Sequence, residues 1–350
     1  MAEKKKGGFI NRLIMGTEKS EGYARSTLPS NRWELFWDIF KGRFGKLFYV
    51  NILTLLFCVL IVLLVLLMNG MLGLYGAQSA FSQNIGVGYP AIPEIAGLVE
   101  QIDVTVKQQM LLILPICLMV AAVGISGGAY VIRNMVWTEG IFVANDFWKG
   151  VKQNYFVVMA SLLLFSVVFY LTMVSIGYAD FLIATQAGSA VWLNIGKALS
   201  YIFLAFAFMC TAWMITMGVT YDLKFFKMLK NALLFTVALL PTNVLFLAAA
   251  CLPFVFFLFG GIGTMIGVIV GLILGLSWFL LVWTVYSQWA FDKFINEKVP
   301  GAQRNRGIYE KVSKDDAEAI KRYREQLAQA SRTVLTRRPI KPITDDELQL

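Results

Sequence analysis

Between Lys230 and Asp292 the chain reads NALLFTVALLPTNVLFLAAACLPFVFFLFGGIGTMIGVIVGLILGLSWFLLVWTVYSQWAF, 61 residues without a formal charge. Fully helical, such a segment would extend roughly 90 Å, about three times the ~30 Å hydrocarbon core of a bilayer. It must therefore double back. Gly260-Gly261-Ile262-Gly263 is the stretch best suited to a turn, because glycine reaches backbone conformations that other residues avoid. Two membrane spans follow, near 231–259 and 263–287.

Working outward, four more apolar runs of span length lie near 47–68, 109–132, 155–177 and 194–219. The expected fold is all-α, a polytopic membrane helix bundle of about six transmembrane helices. Composition agrees: 58% hydrophobic and 15% charged residues in 350 lie far from soluble norms. Of the 31 lysines and arginines, all but Lys107 and Lys197 fall before residue 47, in the 133–153 and 220–230 connections, or after residue 290. An even span count and the positive-inside rule then place both termini and those connections in the cytoplasm.

The chain divides into a basic N-terminal segment (1–30), a transmembrane domain (31–298) and a polar tail (299–350). The N-terminus is basic, but no apolar run follows before Leu47, so no cleaved signal is expected. Residues 31–46 put Trp33, Phe36, Trp37, Phe40 and Phe44 at helical spacing behind an Asn31-x-x-Glu34 capping box, which predicts an amphipathic interfacial helix. After Pro93, the stripe Ile95, Leu98, Val99, Ile102 and Val106 predicts a short helix feeding the second span. Ser313-x-x-Asp316 predicts a tail helix near 314–331.

Histidine is absent, which removes Ser-His-Asp and Cys-His catalysis, HExxH sites and haem ligation through His. Cys58, Cys117, Cys210 and Cys251 each fall in an apolar run and read as buried hydrophobes. No catalytic residue, metal site or cofactor is expected. The net charge of +9 is assigned to membrane topology and not to nucleic acid.

Three polar or glycine-rich features carry candidate function. Gly263, Gly267, Gly271 and Gly275 form a ladder at four-residue steps, suited to close helix packing, with an oligomer contact or a pore lining as alternatives. Pro241-Thr242-Asn243 interrupts the fifth span, either as a kink satisfied by its neighbours or as carbonyls offered to a ligand; Pro115 with Gly124, Gly127 and Gly128 poses the same choice in the second. The connection holding Arg133, Glu139, Asp146, Trp148, Lys149 and Lys152 is either a docking surface or an amphipathic re-entry helix. Asp38-Ile39-Phe40-Lys41-Gly42 echoes Asp146-Phe147-Trp148-Lys149-Gly150, which suggests repeated hairpins or a shared demand for aromatic and basic residues at the interface.

Ala129-Tyr130-Val131-Ile132-Arg133-Asn134, then Glu139 and Asp146-Phe147-Trp148-Lys149-Gly150-Val151-Lys152-Gln153-Asn154, resembles the central signature of the YesL-like family of bacterial integral membrane proteins. Lys230-Asn231-Ala232 followed by Leu239-Leu240-Pro241 is similar to that family's second signature. The resemblance covers roughly residues 30–298 and leaves the long first external loop and the tail uninterpreted. It implies a multi-pass protein of the bacterial plasma membrane often encoded beside carbohydrate ABC transporters, and it supplies no catalytic residues. The expectation is a non-enzymatic accessory or scaffold in the lipid bilayer, partnered by ABC transporter subunits, other membrane proteins or a second copy. The alternative is a permease subunit or facilitator for a neutral polar solute.

Overall fold

A computed structural model describes residues 28–78, 96–299, 301–309 and 325–326. The expectations for the N-terminal segment before residue 28, for Ile95, and for most of the tail helix lie outside these residues. Among the described residues the fold is all helix: α1 (Arg32–Gly42), α2 (Phe44–Gln78), α3 (Leu98–Leu111), α4 (Leu114–Val136), α5 (Val143–Ala184), α6 (Ala190–Thr220), α7 (Phe225–Ala238), α8 (Leu240–Ala250), α9 (Gly261–Val270) and α10 (Leu276–Phe294). Among the described residues five helices are long and apolar enough to cross a membrane, and the count is six if the bent pair α7–α8 is taken as one span. The chain is a multi-pass membrane protein.

The first four spans are unbroken. α5 alone has 42 residues, roughly 63 Å of helix, so it outruns the hydrocarbon core at its ends. α3 and α4 run antiparallel to it: Val104 lies against Gly177, Tyr155 reaches the Met119 carbonyl, and Gly150 seats against Tyr130. Gly124 and Gly128 abut Thr54 of α2, and Gly127 abuts the Phe147 ring, so the glycines of α4 are seats for neighbouring helices. On α3, Lys107 pairs with Asp103, and Lys197 of α6 pairs with Asp180 of α5.

The fifth span departs from expectation. The run 231–259 is not one straight helix: α7 turns through 94° into α8, and a 3-10 segment, Leu252–Phe259, follows. Pro241 and Pro253 each stand in the first turn of a new segment, where a missing N–H costs least. The turn falls where glycine was needed, at Gly260 (φ 59°) and Gly261 (φ 40°). The run 263–287 lies within one span, Gly261–Phe294, as expected, with a π-helical turn at Gly271–Gly275 between α9 and α10.

One end of the bundle is packed far more densely than the other. Residues 129–136 of α4, 209–220 of α6 and 280–288 of α10 are buried on all sides, as a helix surrounded by helices must be. The opposite halves of α2 and α6 expose Leu63, Leu66, Leu67, Ile202 and Phe203, apolar side chains suited to lipid. The dense end is the one where the chain's basic connections lie, and α1 docks there. Asn31 caps α1 by accepting from the Glu34 N–H, while Glu34 reaches back to the Ser30 N–H. Leu35, Phe36 and Ile39 are buried, and Phe36 and Phe40 meet Trp278 edge-on at 5.4 Å. The two echoing pentapeptides occupy different settings: Gly42 ends α1 in open space, whereas Gly150 lies inside α5 against Tyr130.

Candidate functional site: the basic end of the bundle

Arg133 closes the last turn of α4 and is only 2% exposed. An arginine removed from water must be paired or hydrogen-bonded to be tolerated. Its guanidinium carbon lies 4.4 Å from the Tyr130 ring and 4.3 Å from the Trp137 ring, and it donates to the Val219 carbonyl of α6 and to Asn134 Oδ1. Such contacts combine cation–π attraction with hydrogen bonding. The expected docking role of Arg133 is therefore corrected: α5, α6 and α10 enclose this turn, so the residue ties helices together.

Glu139 and Asp146 do not share a helix face. Thr138 adopts φ 57°, the Glu139 N–H returns to the Asn134 carbonyl, and α5 begins only at Val143. Desolvation pushes the Glu139 carboxyl above its usual range, with Asp146 adding to the shift and Arg133, Arg306 and Lys149 opposing it. Asp146, in the first turn of α5, accepts from the N–H of the N-cap residue Phe142 at 2.9 Å. Trp148 is 51% exposed and rests edge-on against Phe147 and Phe57; Lys152 is exposed and Lys149 half-buried. Of the six residues, Trp148 and Lys152 alone present themselves fully outward.

Sequence reasoning missed the strap that covers this end. Arg306 places its guanidinium carbon 4.2 Å from the Trp137 ring, and its carbonyl accepts from Arg32, which also pairs with Asp292 at 2.5 Å. The Tyr309 N–H donates to the Pro29 carbonyl, and the Tyr309 and Thr138 hydroxyls lie 2.9 Å apart. Gly307 has φ 78° and passes so close to the Val136 carbonyl that a Cβ would strike it. Beneath the strap, Trp137 donates to Gln288 and Gln288 to Thr220, while Tyr221 donates to Asn296 and Asn296 to Asp292. Burial raises the Tyr221 phenol well above its ordinary range. These partners are far apart in sequence, and no local motif announces them.

At membrane depth two asparagines settle what the helix breaks offer. Asn243 donates to the Phe235 and Thr236 carbonyls of α7 and accepts from Trp213 at 3.1 Å and Tyr286 at 2.8 Å. The carbonyls at the proline break thus have an internal partner. Asn51 of α2 donates to the Gly271 and Leu272 carbonyls and accepts from the Ser277 N–H, bracketing the π-turn. The glycine ladder packs inward only in part. Gly263, Gly267 and Gly275 meet Phe259, Phe257 and Phe254 of the 3-10 segment, while Gly271 has open space where a Cβ would stand.

Grooves lie on the surface of the described residues. One, of about 360 Å³ between α5 and α6, is lined by Leu171, Thr172, Ser175, Leu199, Ser200 and Phe203. Another, of about 440 Å³ along α7, is lined by Phe226, Leu229, Lys230, Leu233, Leu234 and Val237. Among the described residues no group of three His, Cys, Asp or Glu is placed to hold a metal ion. No family model, curated protein or solved structure matches the chain.

Proposed function

We propose that this chain is a non-enzymatic accessory or scaffold protein of a transport system, seated in the bacterial plasma membrane with both termini in the cytoplasm. The cytoplasmic assignment rests on the concentration of lysine and arginine at one end of the bundle. One observation carries the scaffold reading: at that end the polar machinery is turned inward as structure, while Trp33, Phe142, Trp148 and Phe226 stand outward at 51–80% exposure. Aromatic side chains with an apolar body and nearby cations suit both the headgroup layer and the centre of a protein interface. A carbohydrate ABC transporter is the partner class suggested by the YesL-like resemblance.

The α7–α8 bend and the π-turn favour a second reading, because broken helices at membrane depth form the substrate sites of many permeases. Against it, Asn243 and Asn51 already occupy carbonyls at both breaks. Affinity purification in mild detergent from native membranes, followed by mass spectrometry, separates the two. A scaffold brings down transporter subunits in constant ratio, and the double variant Trp148→Ala, Lys152→Glu loses them. Recovery of the chain alone in both cases, with sugar uptake into liposomes containing only this protein, would replace the scaffold with the permease.

A further inference from the structure

The groove along α7 has a chemistry that the scaffold reading does not use. α7 runs antiparallel to α6: Gly218 lies near Met228, and Trp213 near Phe235. It therefore descends from the basic end into the hydrocarbon. Its inward face, Met228, Asn231, Ala232, Phe235 and Thr236, is buried in the bundle. Its outward face follows helical spacing through Phe226, Lys230, Leu233, Leu234 and Val237. Phe226 is 80% exposed, Leu234 51% and Val237 62%.

Charge is confined to the upper end of this face. Lys224, Lys227 and Lys230 lie within two turns, and Asp222 is the one acid in residues 220–230, leaving the segment net positive. Below Lys230 the groove lining is wholly apolar. From Lys230 to Val237 the helix descends roughly 10 Å at about 1.5 Å per residue, within the ~15 Å that one leaflet contributes to a ~30 Å core. An ammonium above a strip of branched aliphatic side chains matches one molecule that the surroundings supply at high concentration. A phosphate provides the anion, and an acyl chain provides the apolar length. A zwitterionic lipid brings its own cation beside the phosphate, so the lysines favour a net anionic headgroup.

We propose that α7 is a binding site for an anionic phospholipid, with the headgroup phosphate at Lys230 and an acyl chain along Leu233, Leu234 and Val237. The inference depends on the membrane-spanning fold and not on the scaffold reading.

Native mass spectrometry of the full chain, released from micelles holding equal phosphatidylglycerol and phosphatidylcholine, tests it. The wild-type chain is expected to retain phosphatidylglycerol in preference, and Lys230→Gln to reduce that preference about fivefold. Lys152→Gln, which removes a cation outside the groove, leaves it unchanged. Leu234→Trp fills the groove without altering charge and is expected to lower retention of the bound lipid, so the site is tested even where Lys230→Gln folds poorly. Inorganic phosphate at millimolar concentration is expected not to displace the lipid. Equal retention of the two lipids, an unchanged preference in Lys230→Gln, or displacement by phosphate alone would overturn the site. So would a disulfide-linked dimer formed through Leu234→Cys in native membranes, which would give the face to a second copy.

Discussion

The α4–α5 pair and the last two spans bury comparable apolar sequence by opposite means. In α4 and α5 the backbone is regular, and closeness comes from missing side chains: Gly127 admits the Phe147 ring, and Gly150 admits Tyr130. In the last two spans the backbone is irregular twice, and each irregularity is met by an amide reaching for carbonyls, Asn243 at the α7–α8 bend and Asn51 at the π-turn. Lipid tails give helices little apolar incentive to associate, so close packing and internal hydrogen bonding must supply it. The difference teaches that a polar residue at membrane depth is not in itself a mark of transport; here it accompanies an irregular backbone.

The largest effect is expected at Asn243. Asn243→Leu would strip a partner from Trp213 Nε1 and from the Thr236 carbonyl together, and would leave the Tyr286 hydroxyl only Thr242. Single interhelical hydrogen bonds in membranes are worth about 0.6 kcal/mol on average, but several buried groups left unpaired at once should cost about 3 kcal/mol. Unfolding by sodium dodecyl sulfate in mixed micelles, followed by helical circular dichroism, measures this. A loss under about 0.5 kcal/mol would mean that the bend does not need its amide, and the transport reading of the break would return.

Gly150→Ala probes the other side of the comparison at a smaller scale. The added methyl would meet Tyr130 Cβ, which cannot move away without its backbone, and would come within 3.2 Å of the Ser126 carbonyl. Overpacking of this kind costs about 1–3 kcal/mol, and alanine's helix propensity returns up to about 1. A net loss of about 1–2 kcal/mol is expected in the same unfolding measurement, whereas Gly42→Ala, with open space around it, should not show a steric loss.

How legible these regions were follows from how local their causes are. Five of the six apolar runs, the glycine turn at 260–263 and the cap at Asn31 depend on neighbouring residues, and all three features appear in the structure, with the remaining run, 231–259, bent. Pro241 announced a break, but its 94° angle depends on Asn243 reaching back to α7 while Trp213 and Tyr286 hold its oxygen from α6 and α10. The basic end was legible only in outline. Arg133 looks like a surface charge because its enclosure depends on Trp137, Val219 and Arg306, and Arg306 stands 173 positions away. The π-turn has only Gly271 and Gly275 as local signals, and nothing in the sequence around them names Asn51, 220 positions away, as the partner of its carbonyls.

Gly271→Ala should have the smallest effect. Gly271 belongs to the ladder by spacing, but it has helical φ and ψ of −60° and −43°, and no neighbouring group comes within 4 Å of the place a methyl would take. Its contribution to the fold is the carbonyl that accepts from Asn51, and alanine keeps that carbonyl. With no steric cost, the methyl acts chiefly by restricting the unfolded chain, a gain of about 0.4–1 kcal/mol. Gly263→Ala, two steps back along the ladder, would instead meet the Phe256 carbonyl at 2.8 Å and should destabilise. If Gly271→Ala proved as damaging as Gly263→Ala, the open side of the ladder would have to be filled by something outside the chain. Concentration dependence of that loss would then identify a second copy, and the ladder would move from an internal packing device to an oligomer contact.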